Sequence, residues 1–209
     1  MKKWFCRGFF IGISMAAVSL LSGCAAIEPE ERAFPLIIGV DYQEEQFRVM
    51  YGMPNMALVT GQEKADVNGA EEEQIIMYTG STPEEARNRF DLSQEKYLDL
   101  GHVEVLVLGN GIINEQEKME ELLAYLEAIP SVAGNLYVFS TDQLYELMAL
   151  NGRDIDSLGE YLTGIIENKP GSVEKEIPQL YDLYNAWHNQ EKYPKLINIG
   201  VEGRVVFLE

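Results

Sequence analysis

The residues whose types and spacing most suggest chemistry are Gly109, Asn110 and Gly111. They follow the apolar run 103–108, which predicts a buried strand, and they precede an amphipathic segment. Glycines in such a turn allow close approach of a pyrophosphate, so the arrangement is similar to a dinucleotide-binding βαβ unit, with Asp142 after the next strand. Against this, Asn114 stands at the third glycine position, and a helix capped there begins too late for its amides to reach the phosphates. We therefore interpret the segment as a turn that ends a strand.

The other candidate catalytic and metal-binding residues form no recognisable constellation. His102 and His188 are the only histidines, and neither lies in a cluster with metal-ligand spacing. We expect His102 to be a hydrogen-bonded structural residue and His188 to be exposed. No serine occupies a Gly-x-Ser-x-Gly motif. The acidic run 71–73 predicts a solvated loop; a weak cation site there stays open, although the spacing of a calcium loop is missing. The sequence thus predicts no catalytic residue, no cofactor and no metal.

A third group of candidates is aromatic. Tyr181, Tyr184 and Trp187 recur at helical spacing on one segment. Aromatic side chains are enriched at binding surfaces, so a partner surface is one interpretation. Aromatic residues at this spacing more often belong to a core, and we favour the core for Tyr184 and Trp187.

The N-terminal segment has the organisation of a secretory signal. Three basic residues among the first seven precede an apolar run, 9–21, and small residues then lead to Cys24. The sequence Leu-Ser-Gly-Cys at 21–24 is similar to the lipobox of bacterial lipoproteins. That resemblance implies a diacylglyceryl thioether on the Cys24 sulfur, cleavage between Gly23 and Cys24, and further acylation, for example by palmitate. The alternatives are a transmembrane anchor, although a span needs about 20 apolar residues, or a cleaved signal with an incidental cysteine.

The net charge and the cysteine content limit which partners and which disulfides are possible. The chain of 209 residues has a formal charge of −18. The first 23 residues carry three basic and no acidic side chains, so their removal gives −18 − 3 = −21. Such an acidic body is repelled by nucleic acid and by anionic lipid, so we expect no nucleic-acid partner and attachment to a membrane through acyl chains. Solubility alone would also explain the charge. Once Cys6 leaves with the signal, Cys24 has no disulfide partner in the chain.

The pattern of apolar residues predicts an α/β fold with a mixed β-sheet flanked by helices, in a single compact domain after the signal peptide. Its boundaries are 1–23 for the signal, 24–34 for a lipidated tether and 35–209 for the domain. Helices are predicted after Thr82, Asn114 and Thr141, over the stripe from Ile155 to Ile166, and from Pro178, where each cap or proline marks a start. A hairpin is predicted at Glu202-Gly203. Strands are predicted at 36–41, 47–51, 75–78, 103–108, 136–139, 196–201 and 205–208.

Several segments occur in the order typical of one family. They are Cys24, Ile-Gly-Val-Asp at 38–41, Glu85-Ala86, Tyr-Leu-Asp-Leu-Gly-His at 97–102 before the strand 103–108, the strand 136–139, and the proline and two strands of 194–207. The ordered set resembles the Ger(x)C lipoproteins, the C subunits of spore germinant receptors, and covers their N-terminal domain only, since relatives continue into further domains.

The resemblance implies a non-catalytic, lipid-anchored protein that acts in spore germination as a subunit or accessory of a nutrient germinant receptor. It implies A-type and B-type integral membrane subunits as partners. The implied location is the extracytoplasmic face of the cell membrane, which in spores is the inner membrane. One alternative is a surface lipoprotein of an unrelated pathway that binds a small molecule in a cleft at the edge of the sheet. An exported hydrolase is a third interpretation, for which no nucleophile or metal constellation is present.

Overall fold

The computed structural model describes residues 27–54, 76–168 and 177–208. The predictions on the signal, on Cys24 and on the acidic run 71–73 fall outside these residues. The chain divides into two compact units, 1–32 and 33–209. The described part of the first unit has a 3₁₀ turn at Pro29–Glu31, and the Arg32 guanidinium donates hydrogen bonds to the Ile27 carbonyl oxygen. All that follows concerns the second unit.

A mixed sheet organises the second unit. In the described residues the strands are β1 (Arg32–Ala33), β2 (Ile37–Gln43), β3 (Gln46–Gly52), β4 (Met77–Gly80), β5 (Tyr97–Leu98), β6 (Val105–Gly109), β7 (Tyr137–Thr141), β8 (Ile197–Glu202) and β9 (Val205–Leu208). Seven of them form the sheet, in the order β4-β3-β2-β6-β7-β8-β9. Strands β2, β6, β7 and β8 are parallel, whereas β3, β4 and β9 run antiparallel to their neighbours. The predicted α/β class with a mixed sheet is confirmed.

Strand β6 lies in the middle of the sheet, and every one of its residues is buried. Leu106 and Leu108 belong to the core on one face of the sheet, whereas Val105 and Val107 belong to the core on the other. A strand covered on both faces has no solvated side, so its sequence reads as a continuous apolar run rather than an alternation.

Helices cover both faces of the sheet. In the described residues they are α1 (Pro83–Ser93), α2 (Asn110–Asn114), α3 (Gln116–Glu127), α4 (Leu144–Met148), α5 (Leu158–Glu167) and α6 (Leu180–His188). Buried side chains of α1, α3 and α6 pack in the core that contains Leu106. Those of α4 and α5 pack in the core that contains Val107.

Helix α1 begins as predicted, directly after Thr82. The Thr82 hydroxyl accepts a hydrogen bond from the Glu85 backbone N–H at 3.1 Å, and Pro83 occupies the first turn. The Glu85 carboxylate does not return to the Thr82 backbone. It accepts instead from the backbone N–H and the hydroxyl of Ser81, at 2.8 and 2.7 Å. These bonds lower the pKa of Glu85, because they stabilise its ionised form.

Four predicted helix starts are wrong by a few residues. The helix predicted from Ile155, α5, begins at Leu158 after the cap Ser157. Asn114 does not cap a helix but ends α2, and α3 begins at Gln116 after Glu115, whose backbone leaves the helical region. The α4 helix begins at Leu144, three residues after the predicted cap Thr141.

The last helix, α6, likewise begins at Leu180 rather than at Pro178. Its first turn is closed by the Gln179 backbone N–H, which donates to the Asp182 carboxylate at 2.8 Å. Cap residues mark the neighbourhood of a helix start, and tertiary packing decides the residue.

Tight turns connect two of the three antiparallel pairs, β2–β3 and β8–β9. Between β2 and β3, Glu44 and Glu45 both have positive φ, at 52° and 60°. Between β8 and β9 the ladder closes at Glu202 opposite Val205, so the turn contains Gly203 and Arg204, one residue later than predicted. Gly203 takes the left-handed conformation, at φ 61°, that this turn requires.

Within the described residues, no helix is both long enough and apolar enough to cross a membrane.

Candidate functional site

The carboxyl ends of β2 and β6 lie side by side, and this is where a ligand is expected in a sheet of this type. The two strands are parallel and adjacent, with Val40 opposite Leu108. Beyond this pair β2 turns away into its hairpin with β3, whereas β6 leads into α2 and, through α3, to β7 on the other side. Open α/β sheets bind ligands in the crevice between two strands whose connections leave in opposite directions. We call this place the β2–β6 junction.

A carboxylate of the chain itself fills the junction. Asp41, near the end of β2, is 7% exposed. Its Oδ1 accepts hydrogen bonds from the backbone N–H groups of Ile112, at 3.1 Å, and Tyr42, at 2.8 Å. Its Oδ2 accepts from the Gln43 side-chain amide at 2.5 Å. The first turn of a helix is where a phosphate would accept from backbone amides, and here Asp41 takes that place at α2.

The two glycines of the predicted turn make room for Asp41. A Cβ added to Gly109 would lie 2.3 Å from Asp41 Cγ, and one added to Gly111 would lie 1.9 Å from the Tyr42 carbonyl oxygen. Both separations are far below van der Waals contact. The glycines therefore serve the packing of the chain on itself, which agrees with a turn that ends a strand.

The expectation that the helix begins too late to direct its amides at this place, because it is capped at Asn114, is wrong. A helix does begin directly after Gly109, at Asn110, and it includes Gly111; the Ile112 amide of its first turn donates to the Asp41 carboxylate. Asp142, the other residue of the predicted unit, is exposed after β7. The buried polar group at that strand end is Thr141, whose hydroxyl donates to the Ile199 carbonyl oxygen at 2.7 Å.

The two histidines occupy separate surroundings. His102 ends a 3₁₀ turn and is exposed, with its ring 4.8 Å from the ring of Phe34 in an edge-to-face contact. His188, exposed as predicted, ends α6, where its ring stacks on Trp187 at 4.6 Å and Nε2 lies 2.9 Å from a Glu127 carboxylate oxygen. No group of three or more His, Cys, Asp or Glu side chains in the described part of the chain could hold a metal ion.

The tyrosines show where burial perturbs ionisation. Burial and, secondarily, the charge of Glu127 raise the pKa of Tyr184. Burial and the charge of Glu120 raise the pKa of Tyr193. Burial is also the largest cause of the raised pKa of Tyr51 and of Tyr125. These phenols keep their protons at physiological pH, so none of them is available as a base.

The aromatic residues of α6 divide between core and surface. Tyr184 and Trp187 are half-buried and pack against the core that contains Leu106, which confirms the preference for a core position. Tyr181 is 50% exposed. The helix ends in a tight reversal, in which Gln190 has φ 56° and the Glu191 backbone N–H donates to the Ala186 carbonyl oxygen at 2.8 Å.

Two clefts flank the end of α6, and neither was predicted from the sequence. One, of about 400 Å³, lies between α3 and α6 and is lined by residues that include Glu120 and Trp187. The other, of about 450 Å³, is lined by residues that include Pro178 and Asp182. They meet at Ala186 and Glu191, which line both. The wall of the first cleft comes from two segments distant in sequence, whereas the residues that line the second all lie between 177 and 194.

Comparison with known proteins identifies one family. The sequence matches the family described as the spore germination protein N-terminal domain over residues 26–200 of its 209. No match is found among curated proteins or among solved structures. The family match covers most of the chain, including the β2–β6 junction and both clefts. This protein therefore belongs to the family of spore germination protein N-terminal domains.

Proposed function

We propose that the protein is a non-catalytic, lipid-anchored subunit or accessory of a nutrient germinant receptor. The observation that carries the proposal is the family match over residues 26–200, which ties the chain to spore germination. The ordered resemblance to Ger(x)C lipoproteins adds the receptor and the anchor.

The β2–β6 junction supports a role without chemistry. Asp41 occupies the crevice where an open α/β sheet would bind a nucleotide, and its oxygens are already paired with groups of the chain. A phosphate in the same place would meet a buried carboxylate of like charge.

Cys24 is the proposed point of attachment to the membrane. A signal peptide cleaved after Gly23 would leave Cys24 at the N-terminus with acyl chains on its sulfur and amine. Each buried CH₂ contributes about 0.8 kcal/mol, so two or three chains hold a protein stably where one does not. The tether 24–34 would then keep the domain close to the extracytoplasmic face of the membrane, the inner membrane in spores, where A-type and B-type integral subunits are its proposed partners.

Replacement of the anchor tests this proposal. In spores that produce Cys24→Ala at the native level, we expect the membrane-bound fraction of the protein to fall at least about tenfold, with slower germination on nutrients. Mass spectrometry of the native protein should find acyl chains on Cys24. Cys6→Ala is the matched control, since Cys6 lies in the proposed signal and should change neither measurement. Normal germination and membrane retention of Cys24→Ala would overturn the proposal.

A further inference from the structure

We infer that the cleft between α3 and α6, called here the α3–α6 cleft, binds an arginine or lysine side chain presented by a partner polypeptide. The inference deepens the proposed function, because it assigns a surface and a chemistry to the contact with another receptor chain. It rests on the residues that line the cleft, among them Gln116, Glu120, Trp187, Glu191 and Tyr193.

The electrostatics of the cleft favour a cation. Glu120 lies on α3 and Glu191 follows α6, and both carboxylates line the space of about 400 Å³. The Gln116 side-chain amide donates to Glu120 Oε1 at 2.8 Å, which orients that carboxylate without neutralising it. None of the described lining residues is basic. The carboxyl end of α6, which carries the negative end of the helix dipole, lies at the same place.

The aromatic wall favours a cation carried on an organic group. Trp187 lines the cleft and is half-buried, and its ring stacks on the ring of His188. An indole face attracts ammonium and guanidinium groups, and the attraction is strongest where water is excluded. Tyr193 adds a second aromatic side chain to the wall.

The neighbouring cleft indicates that the occupant is longer than a single amino acid. The two clefts meet at Ala186 and Glu191, so an occupant anchored beside Trp187 can continue past the end of α6. The second cleft adds Asp182, Pro178 and Pro194, and it is also lined by the basic Lys192, so the position that favours a cation is the one beside Trp187. A trough of this kind suits an extended segment with a basic side chain, and the formal charge of −18 attracts such segments over a distance.

The test uses the tryptophan of the cleft as its reporter. Trp4 and Trp187 are the two tryptophans of the chain, and Trp4 lies in the proposed signal, so Trp4→Phe leaves Trp187 as the single tryptophan even where the signal is retained. The probe is a blocked pentapeptide with arginine at its centre, titrated into the full-length protein in detergent at low salt. We expect saturable quenching by this peptide and by its lysine analogue. The citrulline analogue, which has nearly the shape of arginine without its charge, should bind at least about tenfold more weakly.

Variants separate the cleft from the overall charge of the protein. Glu120→Gln with Glu191→Gln should weaken the arginine peptide at least about tenfold. The matched pair Glu146→Gln with Glu160→Gln removes two exposed carboxylates from α4 and α5, on the other face of the sheet, and should leave binding unchanged.

Three results would overturn the inference. The first is equal binding of the citrulline peptide, and the second is unchanged binding to Glu120→Gln with Glu191→Gln. The third is binding of free arginine as tight as that of the peptide, because it would identify a small-molecule site rather than a contact with a partner chain. Each leaves the proposed function standing, since membrane retention and germination of the Cys24→Ala strain are measured independently of the cleft.

Discussion

The β2–β6 junction and the α3–α6 cleft each place a carboxylate beside a helix end, and they differ in what pairs with it. At the junction Asp41 is buried, and backbone N–H groups of Ile112 and Tyr42 surround it. At the cleft Glu191 is exposed and Glu120 is half-buried, bonded to one neutral amide. A buried charge must be satisfied by the chain itself, whereas an accessible one can be satisfied by another molecule. The first region serves the fold, and the second is available for recognition.

If the junction is structural, crowding it should have the largest effect. Gly111→Ala places a Cβ 1.9 Å from the Tyr42 carbonyl oxygen and 2.7 Å from Asp41 Oδ1. Both neighbours are held in the sheet, so the backbone of α2 must shift. We expect the free energy of unfolding to fall by about 3 kcal/mol or more, measured by urea denaturation.

Gly134→Ala is the matched control for this substitution. Its Cβ would meet the Tyr181 side chain at 3.5 Å, an ordinary contact, and it should change stability by less than about 1 kcal/mol. Equal stability of Gly111→Ala and Gly134→Ala would mean that the junction is not tightly packed and does not serve the fold.

Removing the carboxylate from the junction should have a smaller but clear effect. Asp41→Ala leaves the Ile112 N–H buried without an acceptor and should cost about 2–3 kcal/mol of unfolding free energy. Asp41→Asn keeps one acceptor oxygen for the two backbone N–H groups and loses the bond from Gln43, so about 1 kcal/mol is expected. Urea denaturation of both variants measures the difference. A cost for Asp41→Asn as large as that for Asp41→Ala would show that the charge matters more than the backbone hydrogen bonds.

Local patterns in the sequence predicted the sheet well and the junction only in part. The apolar run at β6 and the cap at Thr82 each express a constraint within a few residues, and both are found in the structure. The Gly-x-Gly spacing indicated room for a close approach, which in the sequence suggested a pyrophosphate and which the structure fills with Asp41 and Tyr42. It did not reveal what approaches, because Asp41 is 71 residues from Ile112 in the chain.

The α3–α6 cleft could not be predicted from local patterns. Glu120, Trp187 and Tyr193 come from two separate segments, and each has an ordinary role in its own segment. Helical spacing predicts a core position for Trp187, which the structure confirms, but it does not show that the same ring also lines a cleft. Only the packing of α6 on α3 places the ring beside the two carboxylates.

The smallest expected effect concerns the stability of the cleft variants. Glu120→Gln with Glu191→Gln should change the free energy of unfolding by no more than about 0.5 kcal/mol, because no cation of the described chain lines the cleft with them. The matched control is Glu85→Gln, whose carboxylate accepts from Ser81 and from Arg89. Urea denaturation at neutral pH should therefore show a loss for Glu85→Gln and almost none for the cleft pair.

The pH dependence of this difference identifies its cause. The pKa of Glu85 is lowered by its bonds to Ser81 and, to a smaller extent, by Arg89. A lowered pKa in the folded state stabilises the protein above the pKa of an unfolded glutamate, and the stabilisation is lost as pH falls through the folded value. The advantage of the wild type over Glu85→Gln should therefore shrink in acid. A large loss of stability in the cleft pair would contradict the comparison, since it would mean that Glu120 and Glu191 hold the fold together, as Asp41 does.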